Sequence, residues 1–207
     1  MLRKAVDSVL ETPFGYQINQ LIAKPTTTRF GNLIKKFLPR EPSRQVLDVG
    51  CAIANYTDLI AGESAERYTG IDINSDYLAV AQNRFPAAEF RTMDATDLGF
   101  PDSQFDDSLS IATSHHFDDD QLAAMVSEAL RVVKNTGRFY LFDAILPLYG
   151  FKAFKTAFFR LDRGRYAREL SHLRSVVETR GEIESCEIVK GPLHDVCLLT
   201  IKEPGQY

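Results

Sequence analysis

Three acidic residues, each at the end of a short apolar run, carry the first chemical signal in the chain. Asp48 lies in Gln45-Val46-Leu47-Asp48-Val49-Gly50, and the small-residue stretch Cys51-Ala52-Ile53-Ala54-Asn55 follows it. A turn of small residues between a strand and a helix lets the backbone come close to a nucleoside, and the helix start adds unpaired N–H donors. Asp72, in Ile71-Asp72-Ile73, stands 22 positions after Gly50. A carboxylate there can accept from both hydroxyls of a ribose. Asp94, in Met93-Asp94-Ala95, can accept from an exocyclic adenine amine. The three strand ends describe one adenosine-shaped site, whose candidate contacts are Asp48, Gly50, Cys51, Ala52, Asn55, Asp72, Ile73, Asp94 and Ala95.

A second signal is the adjacent pair His115 and His116, on a loop expected to overhang the same crevice. An imidazole near neutrality is suited to removing a proton from a hydroxyl, so both are candidate bases, with nothing in the sequence to choose between them. The third is a basic segment. Between Lys152 and Arg174 lie seven basic and two acidic residues, including Arg163, Arg165, Tyr166 and Arg168. Guanidinium groups there could hold a carboxylate, phosphate or sugar acid, and a solvated helix face is the plain alternative. The acidic run Asp118 to Asp120 is better explained as a helix start than as a magnesium site, and Asp106 and Asp107 as the lead-in to a strand, so no metal is expected.

These residues need a scaffold, and the pattern supplies one. From Gln45 onward, short apolar runs (Tyr68 to Ile71, Glu89 to Met93, Asp107 to Ile111, Arg138 to Ala144) alternate with helical patterns (Ser75 to Arg84, Asp119 to Val133). Such alternation argues for right-handed βαβ units and a mostly parallel sheet, whose ligand crevice lies at the carboxyl ends of the strands. The helix at Asp119 starts with acids, carries the stripe Leu122, Met125, Val126, Ala129, Val133, and is stopped by Asn135-Thr136-Gly137. Before the sheet, helical spacing in Val6, Val9, Leu10 and in Phe30, Leu33, Ile34, Phe37, Leu38 is separated by the breaker run Lys24-Pro25-Thr26-Thr27-Thr28. After Ala144 the rhythm breaks from about Leu146 to Arg180, and strand patterns resume at Glu184 to Val189 and Val196 to Ile201.

The first turn separates two cofactor classes. A dinucleotide fold wants Gly-x-Gly-x-x-Gly, whose glycines admit a pyrophosphate. Here the spacing is Asp48-x-Gly50-x-Ala52-x-Ala54. This resembles the Asp-x-Gly-x-Gly-x-Gly first motif of class I S-adenosylmethionine-dependent methyltransferases of the small-molecule, type 11-like kind. Gly70-Ile71-Asp72-Ile73 is similar to that family's second motif, and Phe90 to Ala95 to its adenine-binding strand end. Arg131 to Arg138 is similar to its turn before the fifth strand, and Ser114-His115-His116-Phe117 to its histidine loop. The resemblance covers Gln45 to Ala144 well and the last two strands loosely.

That resemblance implies a doubly wound, Rossmann-like α/β fold with a seven-stranded mixed sheet of order 3-2-1-4-5-7-6, strand seven antiparallel. It implies S-adenosyl-L-methionine as cofactor and in-line methyl transfer to an O- or N-nucleophile on a small acceptor, with Asp48 near the cofactor's amino end. The acceptor would be met by the arm before strand one and the insertion after strand five, where Tyr16, Arg163, Arg165 and Tyr166 are the candidates, the basic ones suiting an anionic group. The departure is at Ala52 and Ala54, which stand where the family has glycines. If either position needs φ > 0, alanine costs roughly 1 kcal/mol or more. If the methyl groups fill cofactor volume, the chain is a non-catalytic relative. A nicotinamide-dependent oxidoreductase shares Asp72 but not the pyrophosphate glycines.

Composition bounds the rest. The 207 residues fit one α/β domain, divided as a helical arm over 1–42, a cofactor-binding core over 43–145, a helical lid over 146–181 and the last two strands over 182–207. With 24 basic and 28 acidic residues the net charge is −4, so nucleic acid is not an expected partner. Three scattered cysteines fit a reducing cytoplasm, and no stretch approaches the length of a membrane span or a signal core. Oligomeric state is not legible.

Overall fold

The computed structural model describes residues 24–38, 43–62, 64–146, 166–190 and 195–205, with side chains described from Thr28 onward. Its elements are α1 (Lys24–Phe37), β1 (Val46–Val49), α2 (Thr57–Ile60), β2 (Tyr68–Asp72), α3 (Ser75–Arg84), β3 (Glu89–Thr92), β4 (Asp107–Ile111), α4 (Asp119–Arg131), β5 (Phe139–Ile145), α5 (Leu170–Val177), β6 (Glu182–Val189) and β7 (Asp195–Lys202). The seven strands form one sheet in the order β3-β2-β1-β4-β5-β7-β6. β1, β2, β3, β4 and β5 pair in parallel, and β7 lies antiparallel between β5 and β6. Strand order reverses between β1 and β4, so their carboxyl ends flank the crevice in which a ligand of this architecture binds.

Every residue of β1 and β4 is buried, as expected of central parallel strands covered on both faces. On one face Leu47, Val49, Ile71, Phe139 and Leu141 pack under α4 and α5. On the other, Leu109, Ile111, Phe142 and Leu198 meet Phe30, Leu33 and Ile34 of α1 together with Leu78 of α3. Helix α4 begins with a capping box: the Asp118 carboxylate accepts from the Gln121 amide, and the Gln121 side chain accepts from the Asp118 amide.

Several boundaries differ from the sequence expectation, each for a local reason. Lys24-Pro25-Thr26-Thr27-Thr28, read as a breaker, is the first turn of α1; proline is tolerated there because its missing N–H has no intrahelical partner. Within the expected lid over 146–181 lies α5, whose Leu173 and Val177 are buried in the main core, so the lid reading does not extend over it. Helix α4 stops at Arg131, two residues early, because Val133 bridges to Phe105. Gly137 is required by close approach rather than by an unusual φ: a Cβ there would lie 1.8 Å from the Asp106 carbonyl oxygen.

Asp106 and Asp107 serve the amino ends of the strands. Asp106 accepts from the Gln45 amide at 2.7 Å and pairs with Lys134 at 2.7 Å. Asp107 accepts from Arg44 Nε at 2.7 Å and from the Arg138 amide at 3.0 Å. Both acids therefore sit at the end of the sheet opposite the crevice.

Candidate active site

The turn after β1 is built from alternating left-handed residues: Gly50 at φ 78°, Ala52 at 49° and Ala54 at 59°. Gly50 is fixed by space as well as by φ, since a Cβ would sit 2.6 Å from Thr113, the residue that covers the turn from the end of β4. The two alanines carry the left-handed strain that the sequence pattern implied. Their methyl groups face protein: Ala54 has no exposed surface and Ala52 packs with Ile53 and Tyr77. A left-handed alanine costs about 1–2 kcal/mol and a buried methyl returns about 0.8, so about 0.2–1.2 kcal/mol of strain remains at each position, small enough for alanine to hold the shape that glycine would.

Asp72 ends β2 half-buried beside this turn. Its Oδ2 accepts from the Ala52 amide at 2.9 Å and its Oδ1 from the Asn74 amide at 2.9 Å. Burial pushes the carboxyl above its ordinary pKa, against the lowering pull of these backbone hydrogen bonds. Asp72 does not cap α3. Asn74 does, accepting from the amides of Asp76 and Tyr77. Ile73 follows with 75% of its surface exposed, an apolar face beside a carboxylate.

The remaining binding candidates divide. Ala95 is buried under β3 in the main core. Asp94 is exposed, and its Oδ1 accepts from the amide and hydroxyl of Thr96 at 2.8 Å each. Asn55 Oδ1 is turned to Arg84 Nη1 at 3.2 Å, so this side chain ties the turn to α3. Cys51 contributes its amide to the Ile71 carbonyl at 2.9 Å, while its thiol is buried against Gly70 and held in the neutral form by that burial.

Asp48 lies below the turn, 3% exposed, and its Oδ2 accepts from the Tyr68 hydroxyl at 2.5 Å. Its Oδ1 is buried without a hydrogen-bond partner among the described residues. Burial raises its pKa to about 7, the Tyr68 hydrogen bond opposing and the nearby Asp72 charge adding. An acid raised in the folded state binds more protons folded than unfolded, so the stability it confers falls as pH rises from about 4 to about 7 and is flat above. Asp48→Asn should remove that slope. Urea denaturation should show little difference between the variant and the parent near pH 4 and a variant more stable by a few kcal/mol near pH 8. Equal slopes in both proteins would refute the assignment.

Ser114 to His116 form a single 3-10 turn after β4. His115 Nδ1 lies 2.7 Å from Oδ1 of Asp143, which sits in β5 and is 1% exposed. Asp143 also accepts from the Ser114 hydroxyl, from the His115 amide at 3.2 Å and from the Ala144 amide at 2.6 Å. Burial alone would raise this carboxyl; the charge of protonated His115 and the hydrogen bonds from His115, Ser114 and Ala144 outweigh it and hold the pKa below the ordinary value. An ionised Asp143 can only accept, so Nδ1 of His115 carries a proton, and when the ring is neutral the lone pair is on Nε2. His116 is exposed, with its ring centroid 4.3 Å from that of His115.

The sequence reading found both histidines but neither Asp143 nor Thr113. A carboxylate inside the apolar run Phe139 to Ile145 was the available signal for the first, at a fifth strand end. Arg168, counted among the lid's basic residues, is turned inward onto Asp119, which removes it from the set that could meet an anion. Asp119 also pairs with His172 at 2.8 Å. Tyr166 is 40% exposed, and its amide donates to the His115 carbonyl at 3.1 Å. Tyr16, Arg163 and Arg165 lie outside the described residues.

Comparison with known proteins follows this geometry. Residues 46–137 match the family described as a methyltransferase domain. Over 104 residues the chain is 35% identical to a fatty-acid O-methyltransferase of Mycolicibacterium smegmatis, covering 49% of this chain and 37% of that one. It is 31% identical over 147 residues to the uncharacterized methyltransferase YcgJ of Bacillus subtilis, covering 66% of this chain and 56% of that one. The chain thus spans only 37% and 56% of these two curated relatives. In fold it is similar to geranyl diphosphate C-methyltransferase of Streptomyces coelicolor, whose structure holds S-adenosyl-L-homocysteine: TM-score 0.68 at 14% identity, covering 86% of this chain and 80% of that one. With the sheet order, the alternating left-handed turn and the carboxylate closing β2 already in place, these matches support a class I S-adenosylmethionine-dependent methyltransferase domain over residues 46–137.

Proposed function

We propose that this protein transfers the methyl group of S-adenosylmethionine to a hydroxyl on a small molecule. The observation that carries the hydroxyl is the His115–Asp143 pair at the carboxyl ends of β4 and β5. A carboxylate or carbanion acceptor reaches the methyl group already bearing its electron pair. An alcohol or phenol, like a protonated nitrogen, arrives with a proton that a base must take up. The cofactor's residues fit as well. The Gly50 turn supplies close backbone approach, Asp72 supplies oxygens for the ribose hydroxyls, and exposed Ile73 supplies an apolar face for the adenine ring. Asp94 Oδ2 is the oxygen left to meet the exocyclic amine, since Oδ1 holds Thr96.

S-adenosylmethionine, when bound, brings a methyl group already activated by its sulfonium. The protein's own share is alignment, exclusion of water, and uptake of the acceptor's proton at Nε2 of His115 while Asp143 stabilises the imidazolium that results. The acceptor is a small molecule rather than nucleic acid in this reading, which the acidic balance of the chain supports. Tyr166, exposed beside the His115 loop, is our acceptor contact within the described residues, and Tyr16, Arg163 and Arg165 complete the proposed set, the arginines serving an anionic group. We place the protein in the cytoplasm on its cysteine usage, and among the described residues no helix is long and apolar enough to cross a membrane.

The test is calorimetric titration with S-adenosylhomocysteine followed by a methyl-transfer screen over alcohols, phenols, sugars and carboxylic acids. Micromolar binding and turnover confined to hydroxylated acceptors is the expected result. Turnover of carboxylic acids alone would remove the role of the histidine, and no binding would remove the enzyme. The non-catalytic and nicotinamide alternatives gain nothing from the structure: the alanine methyls are buried in protein, and the turn lacks the pyrophosphate glycines.

A further inference from the structure

We propose that Arg168 is a positioning residue: it fixes the histidine loop in the register that seats His115 Nδ1 on Asp143. This rests on the reading of His115 as the base, but its geometry stands apart from it. The guanidinium is buried, with 6% of the side chain exposed, and all five of its N–H donors are engaged. Nε and Nη2 both reach Asp119 Oδ1, at 2.9 and 2.8 Å. The second Nη2 donor reaches the Phe117 carbonyl at 2.7 Å, and the two Nη1 donors reach the carbonyls of Ser114 at 3.1 Å and Tyr166 at 3.0 Å. The carbonyls held on either side thus bracket the His115-His116 pair.

Neighbouring backbone completes the clamp. The Tyr166 amide takes the His115 carbonyl at 3.1 Å, and the Arg168 carbonyl accepts from the Leu146 amide at 2.9 Å, just past the end of β5. One short segment therefore ties three carbonyls of the histidine loop to the strand that carries Asp143 and to the first turn of α4. Two of the backbone anchors on the loop depend on a planar fork with donors on both edges, which an ammonium cannot reproduce. A loop that served only as a connection would need none of this, since its carbonyls could face water. Asp119, half exposed, supplies the charge that keeps the buried guanidinium in place.

The readout is the Nδ1–H proton of His115 in 15N-histidine-labelled full-length protein, a downfield resonance when the proton is shared with a carboxylate, assigned by its loss in H115N. In Arg168→Gln its exchange with water should speed up by about tenfold or more, while S-adenosylhomocysteine affinity by calorimetry stays within about twofold. Arg168→Lys should recover only part of the protection, because the charge returns without the fork. Wild-type exchange in a folded Arg168→Gln protein would overturn the proposal, as would full recovery by lysine. Should Arg168→Gln fail to fold, Asp119→Asn decides: faster exchange in a folded protein supports the clamp, and unchanged exchange overturns it. If exchange responds to Arg168 while H115N retains full methyl transfer, the clamp stands and the base assignment falls.

Discussion

Asp72→Ala should weaken S-adenosylhomocysteine binding by at least about a hundredfold, read by calorimetry. Hydrogen bonds to a charged acceptor contribute about 1.5–3 kcal/mol each, and a ribose offers two, so about 3 kcal/mol is the lower bound, or a factor of over a hundred. The same carboxylate holds the Ala52 and Asn74 amides, so its loss also releases the left-handed turn on one side and the start of α3 on the other. Asp72→Asn separates these contributions. The amide keeps one acceptor for the turn but presents no charge to the second hydroxyl, and its affinity should fall between the two. Because burial raises the Asp72 pKa, affinity in the parent should decline on acidification earlier than an ordinary surface carboxylate would allow, and Asp72→Asn should lose that decline. Binding within about threefold of the parent in Asp72→Ala would show that the ribose lies elsewhere.

The parts of this protein that a sequence reveals are those fixed by local rules. Strand β1 is legible because three of its four buried residues, Val46, Leu47 and Val49, are apolar, and Asp72 because a carboxylate closing the next strand has few structural uses. The left-handed turn was legible too, since Gly50, Ala52 and Ala54 alternate at the family's spacing; that the alanines are affordable was not, because it depends on where two methyl groups point. Asp143 shows the other limit. It lies 28 residues beyond His115 and meets it only through the pairing of β4 with β5, which places Ile111 opposite Phe142. Arg168 is the clearer case. Its composition context is a basic surface, and only the fold turns it inward onto Asp119, 49 residues earlier. Helix α5 was misassigned for a related reason, since amphipathic spacing is the same for a lid and for a crossover helix, and the sheet it covers decides between them.

With a hydroxylated acceptor, His115→Asn should lower kcat by about 10²–10⁴ and leave S-adenosylhomocysteine affinity unchanged, while His116→Asn should stay within a few-fold of the parent. The contrast follows from orientation. His115 is held by a buried carboxylate on Nδ1, which fixes the ring and the tautomer and leaves Nε2 as the basic nitrogen, whereas His116 is exposed. Asp143→Asn should approach the His115→Asn rate, because an amide facing Nδ1 no longer selects the tautomer with the lone pair on Nε2. It should also destabilise the fold by about 3–5 kcal/mol, since Ser114, His115 and Ala144 all lose a buried anionic acceptor. That stability has a defined pH window. A carboxyl lowered in the folded state contributes fully above the ordinary carboxylate pKa, and its contribution is lost as pH falls through the lowered folded value. The rate has a different one, rising with pH as the imidazole loses its proton, and His115→Asn should flatten it. If His116→Asn flattens the profile instead, the base belongs to the exposed ring, and the buried pair is only a strut between β4 and β5.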